Sequence, residues 1–169
     1  MLALIGLPGS GKSTVGNLLA RHYDLPFVDL DKEIEIALGC SIAQCFEERG
    51  ELYFRDLESE LLDQITKSGR CVLSTGGGTV LRASNREWLR MRAKVIYLAS
   101  TPQELLPRLK NDTKRPLLQV HDLTSRLTEL YETRDPLYKA TAEIILHTGA
   151  GPAKRVISEY LKLHPNFYG

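Results

Sequence analysis

Met1-Leu-Ala-Leu-Ile-Gly-Leu-Pro-Gly-Ser-Gly-Lys-Ser13 opens the chain with a short apolar run that leads directly into Gly6-x-x-x-x-Gly11-Lys12-Ser13. That spacing, between a strand and a helix expected over Ser13–His22, is the pattern of a phosphate-binding loop. Glycines let successive backbone N–H groups turn inward where a Cβ would restrict φ. Together with the N-terminus of the following helix, those N–H groups form a nest for anionic oxygens. Lys12 is expected to reach the β- and γ-phosphates of a nucleotide, and the Ser13 hydroxyl to ligate the magnesium ion between them. A glycine-rich turn with no ligand is the plainer alternative. The strand, loop and helix together disfavour it.

Beyond the loop, strand and helix signals alternate to the end of the chain, as in a parallel sheet covered by helices. Short apolar runs rich in β-branched or aromatic residues place strands at Leu2–Ile5, Pro26–Asp29, Cys71–Thr75, Lys94–Ala99 and Glu143–His147. Ser41 with Gln44 reads as a capping box opening a helix that stops at Gly50. A second helix follows, with Phe54, Leu57, Leu61, Leu62 and Ile65 on its buried face. Asp122 is the expected N-cap of a later helix with Leu123, Leu127, Leu130 and Tyr131 in its apolar stripe. No repeat or linker divides the 169 residues, which predict a single domain over 1–169.

Composition narrows the function classes. Twenty-two basic against 21 acidic residues leave a net charge of +1, which argues against a bulk basic surface for nucleic acid. Cys40, Cys45 and Cys71 have no metal-ligand spacing, and their odd number fits no closed disulfide framework, so reduced thiols are expected. No apolar run approaches the ~18 residues of a membrane span, and with a loop starting at residue 6 no leader is expected. The expectation is a cytoplasmic enzyme, with nothing demanding more than a monomer.

Open α/β sheets bind ligands at the carboxyl ends of their strands. Four features fall there: the phosphate loop, Asp29-Leu30-Asp31, Gly76-Gly77-Gly78, and the polar segment Leu109–Leu118, a candidate lid at about 109–120. With period-two geometry, Asp29 and Asp31 point the same way into the cleft. A helix cap is the plainer role for either; as a pair they suit magnesium and a hydroxyl acceptor, since Asp can orient and deprotonate an attacking oxygen. The three glycines let backbone approach a ligand more closely than a turn requires. Arg55 and Arg134 suit bidentate recognition of a carboxylate, against the alternative of surface salt bridges. Pro136 is expected to end or kink its helix and so hold Arg134 beside the cleft. Arg115 is the candidate lid cation for the transferring phosphoryl group, whereas Lys110 and Lys114 read as solvated charges. Trp88 reads as packing, and His22, His121, His147 and His164 carry no ligand-like spacing.

Gly6-Leu-Pro-Gly-Ser-Gly-Lys-Ser-Thr14, Asp29-Leu-Asp31, Phe54-Arg55, Gly76-Gly-Gly78, Arg115-Pro-Leu-Leu118 and Arg134-Asp-Pro-Leu-Tyr138 follow the order and spacing of the shikimate kinases, which the chain resembles over nearly its whole length. The resemblance implies a three-layer α/β/α P-loop fold with a five-stranded parallel sheet in the order 2-3-1-4-5. It implies transfer of the γ-phosphoryl of ATP to the 3-hydroxyl of shikimate, with Mg2+ as cofactor and shikimate 3-phosphate and ADP as products. By the same resemblance Asp31 is the base, and Arg55 and Arg134 grip the carboxylate. Glu58 steadies the arginines, and the backbone at Gly76, Gly77 and Gly78 completes the pocket. Ile42, Phe46, Phe54, Pro116 and Leu117 form its apolar wall. Gly9, Ser10, Gly11, Lys12, Ser13 and Thr14 hold the phosphates of ATP; Asp29 holds magnesium through water beside Ser13. Arg115 is the lid arginine, Arg108 lies against the adenine, and the compact Thr148-Gly-Ala-Gly-Pro152 stands where the adenine loop, including Pro152, is expected.

A gluconate kinase or a nucleoside monophosphate kinase would share the sheet and loop but need another acceptor site, which the paired arginines and Gly76–Gly78 disfavour. A nucleotide-gated module without catalysis would be expected to lose Lys12, Asp31 or Arg115, and all three are present.

Overall fold

A computed structural model of the chain describes residues 1–110, 122–149 and 153–165. Five strands form one parallel sheet: β1 (Leu2–Ile5), β2 (Phe27–Asp29), β3 (Val72–Ser74), β4 (Lys94–Ala99) and β5 (Ile144–His147). Their order is β2-β3-β1-β4-β5, as expected. β1 is buried along its length because both of its faces are covered. Ala3 and Ile5 join one hydrophobic cluster, with Leu73, Val95 and Tyr97. Leu2 and Leu4 join the other, with Val72, Ile96 and Leu98. The period of two sends alternate side chains to opposite faces, so a strand covered on both sides reads as a continuous apolar run.

Helix α1 (Lys12–Tyr23) and helix α7 (Ala153–Leu163) pack together on the Leu2/Leu4 face. Helices α2 (Leu30–Leu38), α3 (Ile42–Ser68), α4 (Ala83–Arg92), α5 (Pro102–Leu109) and α6 (Leu123–Thr141) complete the fold. Leu30, Ile34, Phe54, Leu62, Leu89, Leu105, Leu127 and Leu130 from these five bury themselves in the Ala3/Ile5 cluster, giving three layers.

Several local expectations are refined. Strands β2, β3 and β5 are one residue shorter at one or both ends than the apolar runs suggest. Gly50 kinks α3 with φ 80° and ψ 169°, and helix resumes beyond it, so the two expected helices run on across a bend. Ser41 accepts from the Gln44 N–H at 3.2 Å, but the Gln44 side chain donates to Glu48, so only half of the expected capping box forms. The complete box belongs to α5, where Thr101 and Glu104 cap each other and Pro102 occupies the first turn. Asp122 caps α6 as expected, accepting from the Ser125 N–H at 3.0 Å.

Pro136 neither ends α6 nor introduces a non-helical residue; the helix continues to Thr141. The carbonyl that loses its partner is that of Glu132, and both residues lie on the exposed side, where water can satisfy it. Arg134, Asp135 and Tyr138 on the inner side hold the helix in place by burial. Cys40, Cys45 and Cys71 are free thiols, and half-buried Trp88 packs against the core. Among the described residues no helix is long and apolar enough to cross a membrane.

Candidate active site

The carboxyl ends of β1, β2 and β3 meet α2, α3, α5 and α6 around a cleft of about 660 Å³. At one end lies the phosphate loop, whose Gly9, Gly11, Lys12, Ser13 and Thr14 line the cavity. Gly11 caps α1 with φ 93°, a left-handed conformation that leaves the helix N-terminus open to the cleft without a capping side chain. Lys12 donates to the carbonyls of Gly6 at 2.8 Å and Leu7 at 3.0 Å, so its ammonium lies folded over the loop. Ser10 is buried in the loop, and its hydroxyl has no partner among the described residues.

Asp29 and Asp31 both line the cleft, but not through strand alternation. Leu30 already begins α2, and Asp29 occupies its N-cap position without making a capping bond. Its carboxylate accepts instead from the Ser13 hydroxyl at 2.7 Å. Asp31, in the first turn of α2, places Oδ1 where a Cβ on Gly76 would approach within 2.8 Å. The two carboxylates thus have different neighbours in the same cavity.

Arg55 and Arg134 line the same cavity at only 8% and 5% exposure. Arg55 is neutralised twice, by Glu58 at 2.8 Å and by Glu51 at 3.1 Å. Burial opposes its charge, yet the two glutamates outweigh burial and its pKa is raised. Glu58, at 0% exposure, is satisfied on its other oxygen by the Thr79 hydroxyl at 2.7 Å. Arg134 has no ion pair among the described residues. Burial lowers its pKa; the neighbouring Tyr138 oxygen draws it back, and the charge of Arg55 pushes it further down. Glu58 therefore pairs with Arg55 and not with both arginines.

The three glycines make room for these side chains before any ligand. A Cβ at Gly76 would meet Asp31, Glu58 and Thr79; one at Gly77 would meet Pro8 at 2.8 Å and Arg134 at 3.4 Å. A Cβ on Gly78 would sit 2.7 Å from the Arg55 Cζ. Ile42, Phe46 and Phe54 form an apolar side wall, with the two phenylalanine rings 4.9 Å apart. Arg55 lies over the Phe54 ring, 5.0 Å from its centroid. At the far edge, Arg108 donates to the carbonyls of Gly9 at 3.3 Å and Gly149 at 2.6 Å, tying the phosphate loop to the segment after β5.

Residues 8–164 match the shikimate kinase family. The chain belongs to the shikimate kinase family. It is 44% identical over 157 residues to a shikimate kinase of Ralstonia nicotianae, covering 93% of this chain and 83% of that protein. A shikimate kinase of Burkholderia pseudomallei is 46% identical over 145 residues, covering 86% and 79%. Among solved structures, the shikimate kinase from Acinetobacter baumannii in complex with shikimate superposes with a TM-score of 0.92 at 40% identity, covering 96% of this chain and 90% of that one. The shikimate kinase from Aquifex aeolicus gives 0.83 at 36% identity, covering 95% and 94%.

Among the described residues, those expected in the site line one cavity except Ser10, which is buried in the phosphate loop. Arg115, Pro116, Leu117 and Pro152, together with Lys114, His121 and most of the lid segment, lie outside the described residues. Sequence reasoning missed Thr79 and Asn85, the latter donating to the Thr79 carbonyl at 3.0 Å from a fully buried position. It also missed Lys32 and Glu35 at the cavity mouth. Glu35 accepts from the Ile42 N–H at 3.1 Å and ties α2 to the start of α3. No spacing marks Thr79; only its place after three glycines sets it apart.

Proposed function

We propose that the cleft transfers the γ-phosphoryl group of ATP to the 3-hydroxyl of shikimate, giving shikimate 3-phosphate and ADP. One observation carries this reading: a buried guanidinium, Arg134, stands without an acidic partner among the described residues, beside the already neutralised Arg55 and in the same cavity as a phosphate loop. A desolvated, uncompensated cation is costly, and a substrate carboxylate removes that cost. Shikimate supplies one carboxylate and a ring of hydroxyls.

The loop N–H groups and the α1 N-terminus would take the phosphates of ATP, and Lys12 would exchange its carbonyl partners for β- and γ-oxygens. Arg134 and Arg55 would hold the acceptor carboxylate, with Phe46 and Phe54 against the ring. Asp31, which lines the same cavity, would accept the 3-hydroxyl proton as that oxygen bonds to the γ-phosphorus and the bond to ADP breaks. Alignment matters more than basicity in such a loose transition state, so an ordinary carboxylate suffices.

Ser13 and Asp29 fit a magnesium site: a hydroxyl and one carboxylate, 2.7 Å apart at the phosphate end, are the hard oxygen donors Mg2+ takes alongside phosphate oxygens and water. When bound there, the ion supplies charge neutralisation at the β- and γ-phosphates. Arg115 would add a cation from the lid, Pro116 and Leu117 would close the apolar wall, and Arg108 and Pro152 would flank the adenine. The protein would act in the cytoplasm as a monomer.

ADP release from Mg·ATP, measured with shikimate, gluconate or AMP as acceptor, tests the reading. Turnover with shikimate alone is expected. Turnover with gluconate or AMP instead would keep the phosphoryl chemistry and overturn the assignment of the two arginines.

A further inference from the structure

The pocket treats its two arginines differently, and the difference centres on Tyr138. This tyrosine follows Arg134 by one helical turn on α6 and is fully buried. Its hydroxyl donates to the carbonyl of Gly77, in the glycine run that lines the cleft. A carbonyl can only accept, so the phenolic proton is committed to Gly77. The oxygen lone pairs are left for a donor, and Arg134, one helical turn earlier on the same buried side of α6, carries a guanidinium that can only donate. Gly77 closes the triangle, since a Cβ there would stand 3.4 Å from the Arg134 Nη1.

We propose that Tyr138 is a positioning residue for the acceptor carboxylate: its hydroxyl fixes the Arg134 guanidinium and the Gly77 backbone relative to each other while leaving the arginine's charge uncompensated. An Asp or Glu in that place would orient Arg134 equally well but neutralise it, as Glu51 and Glu58 neutralise Arg55. A phenol orients without neutralising. The ring is held independently of its hydroxyl, stacked on Tyr97 with centroids 4.9 Å apart. Tyr97 in turn donates to Asp135 at 2.9 Å, away from the glycine run.

The inference rests on the reading of the cleft as a shikimate site, and the test separates the two. In Tyr138→Phe the ring and its stacking survive and only the hydroxyl is lost. KM for shikimate is expected to rise about 10-fold, the worth of one hydrogen bond to a charged group, with KM for ATP and kcat within about twofold. In an Arg134→Ala background the same change should have no further effect on shikimate KM, because the residue it positions is gone. Tyr97→Phe, which removes a buried hydroxyl from the same stack, should leave shikimate KM unchanged. Equal rises in KM for both substrates, full additivity with Arg134→Ala, or an equal effect of Tyr97→Phe would each overturn the proposal. A wild-type protein that turns over ATP but not shikimate would overturn the reading of the site itself.

Discussion

Two arginines of equal formal charge face one cavity, and their surroundings separate their roles. Arg55 is compensated by Glu51 and Glu58, whereas Arg134 has no acidic partner among the described residues and its charge is free for an anion under the proposed reading. Asp29 and Asp31 divide in the same way, one bonded to Ser13 of the phosphate loop and the other beside Gly76. Replacing Asp31 by Asn keeps the shape and removes the proton acceptor. Turnover is expected to fall by about 10²–10⁴-fold with ATP affinity retained, as read by single-turnover kinetics and nucleotide titration. An equal loss of ATP affinity would place Asp31 at the nucleotide instead. Asp29 and Asp31 were legible from their place after a strand, and Arg55 and Arg134 from their residue type on helices and from the motifs Phe54-Arg55 and Arg134-Asp-Pro-Leu-Tyr138. The Thr79 hydroxyl on Glu58 was not, because 21 residues separate the partners and only tertiary structure joins them.

At the level of elements, α6 shows why local rules needed the fold to complete them. Proline predicts a break, but Glu132 and Pro136 lie on the wet side while Arg134 and Tyr138 are gripped by the core, so packing outweighs one missing hydrogen bond. The glycine run is another case. Its composition pointed to close approach, and the approach is made by Asp31, Glu58, Arg55 and Arg134. Gly78→Ala would drive a methyl into the Arg55 guanidinium, which cannot yield without breaking its pairs to Glu51 and Glu58. Shikimate affinity is expected to fall at least about 10-fold, the worth of a displaced charged hydrogen bond, with nucleotide affinity unchanged in calorimetric titration. An unaltered shikimate affinity would mean that Arg55 does not contact the acceptor.

Across the molecule, the sheet order brings the ends of β1, β2 and β3 together, so segments separated by more than a hundred residues line one cavity. The alternation of apolar runs with helical stripes made the α/β class readable, because strands buried on both faces leave continuous hydrophobic runs. Strand order came from the family resemblance, since apolar runs do not record their neighbours. Arg134, with no acidic partner among the described residues, would make this cavity an acceptor site for a carboxylate. Titrating shikimate by calorimetry into the wild-type protein and into Arg134→Ala, with Mg·ADP as the parallel ligand, tests it most directly. In the variant, shikimate affinity is expected to fall about 10- to 100-fold, the range for a hydrogen bond to a charged group, with the affinity for the nucleotide unchanged. Equal shikimate affinity in the two proteins would contradict that role of Arg134.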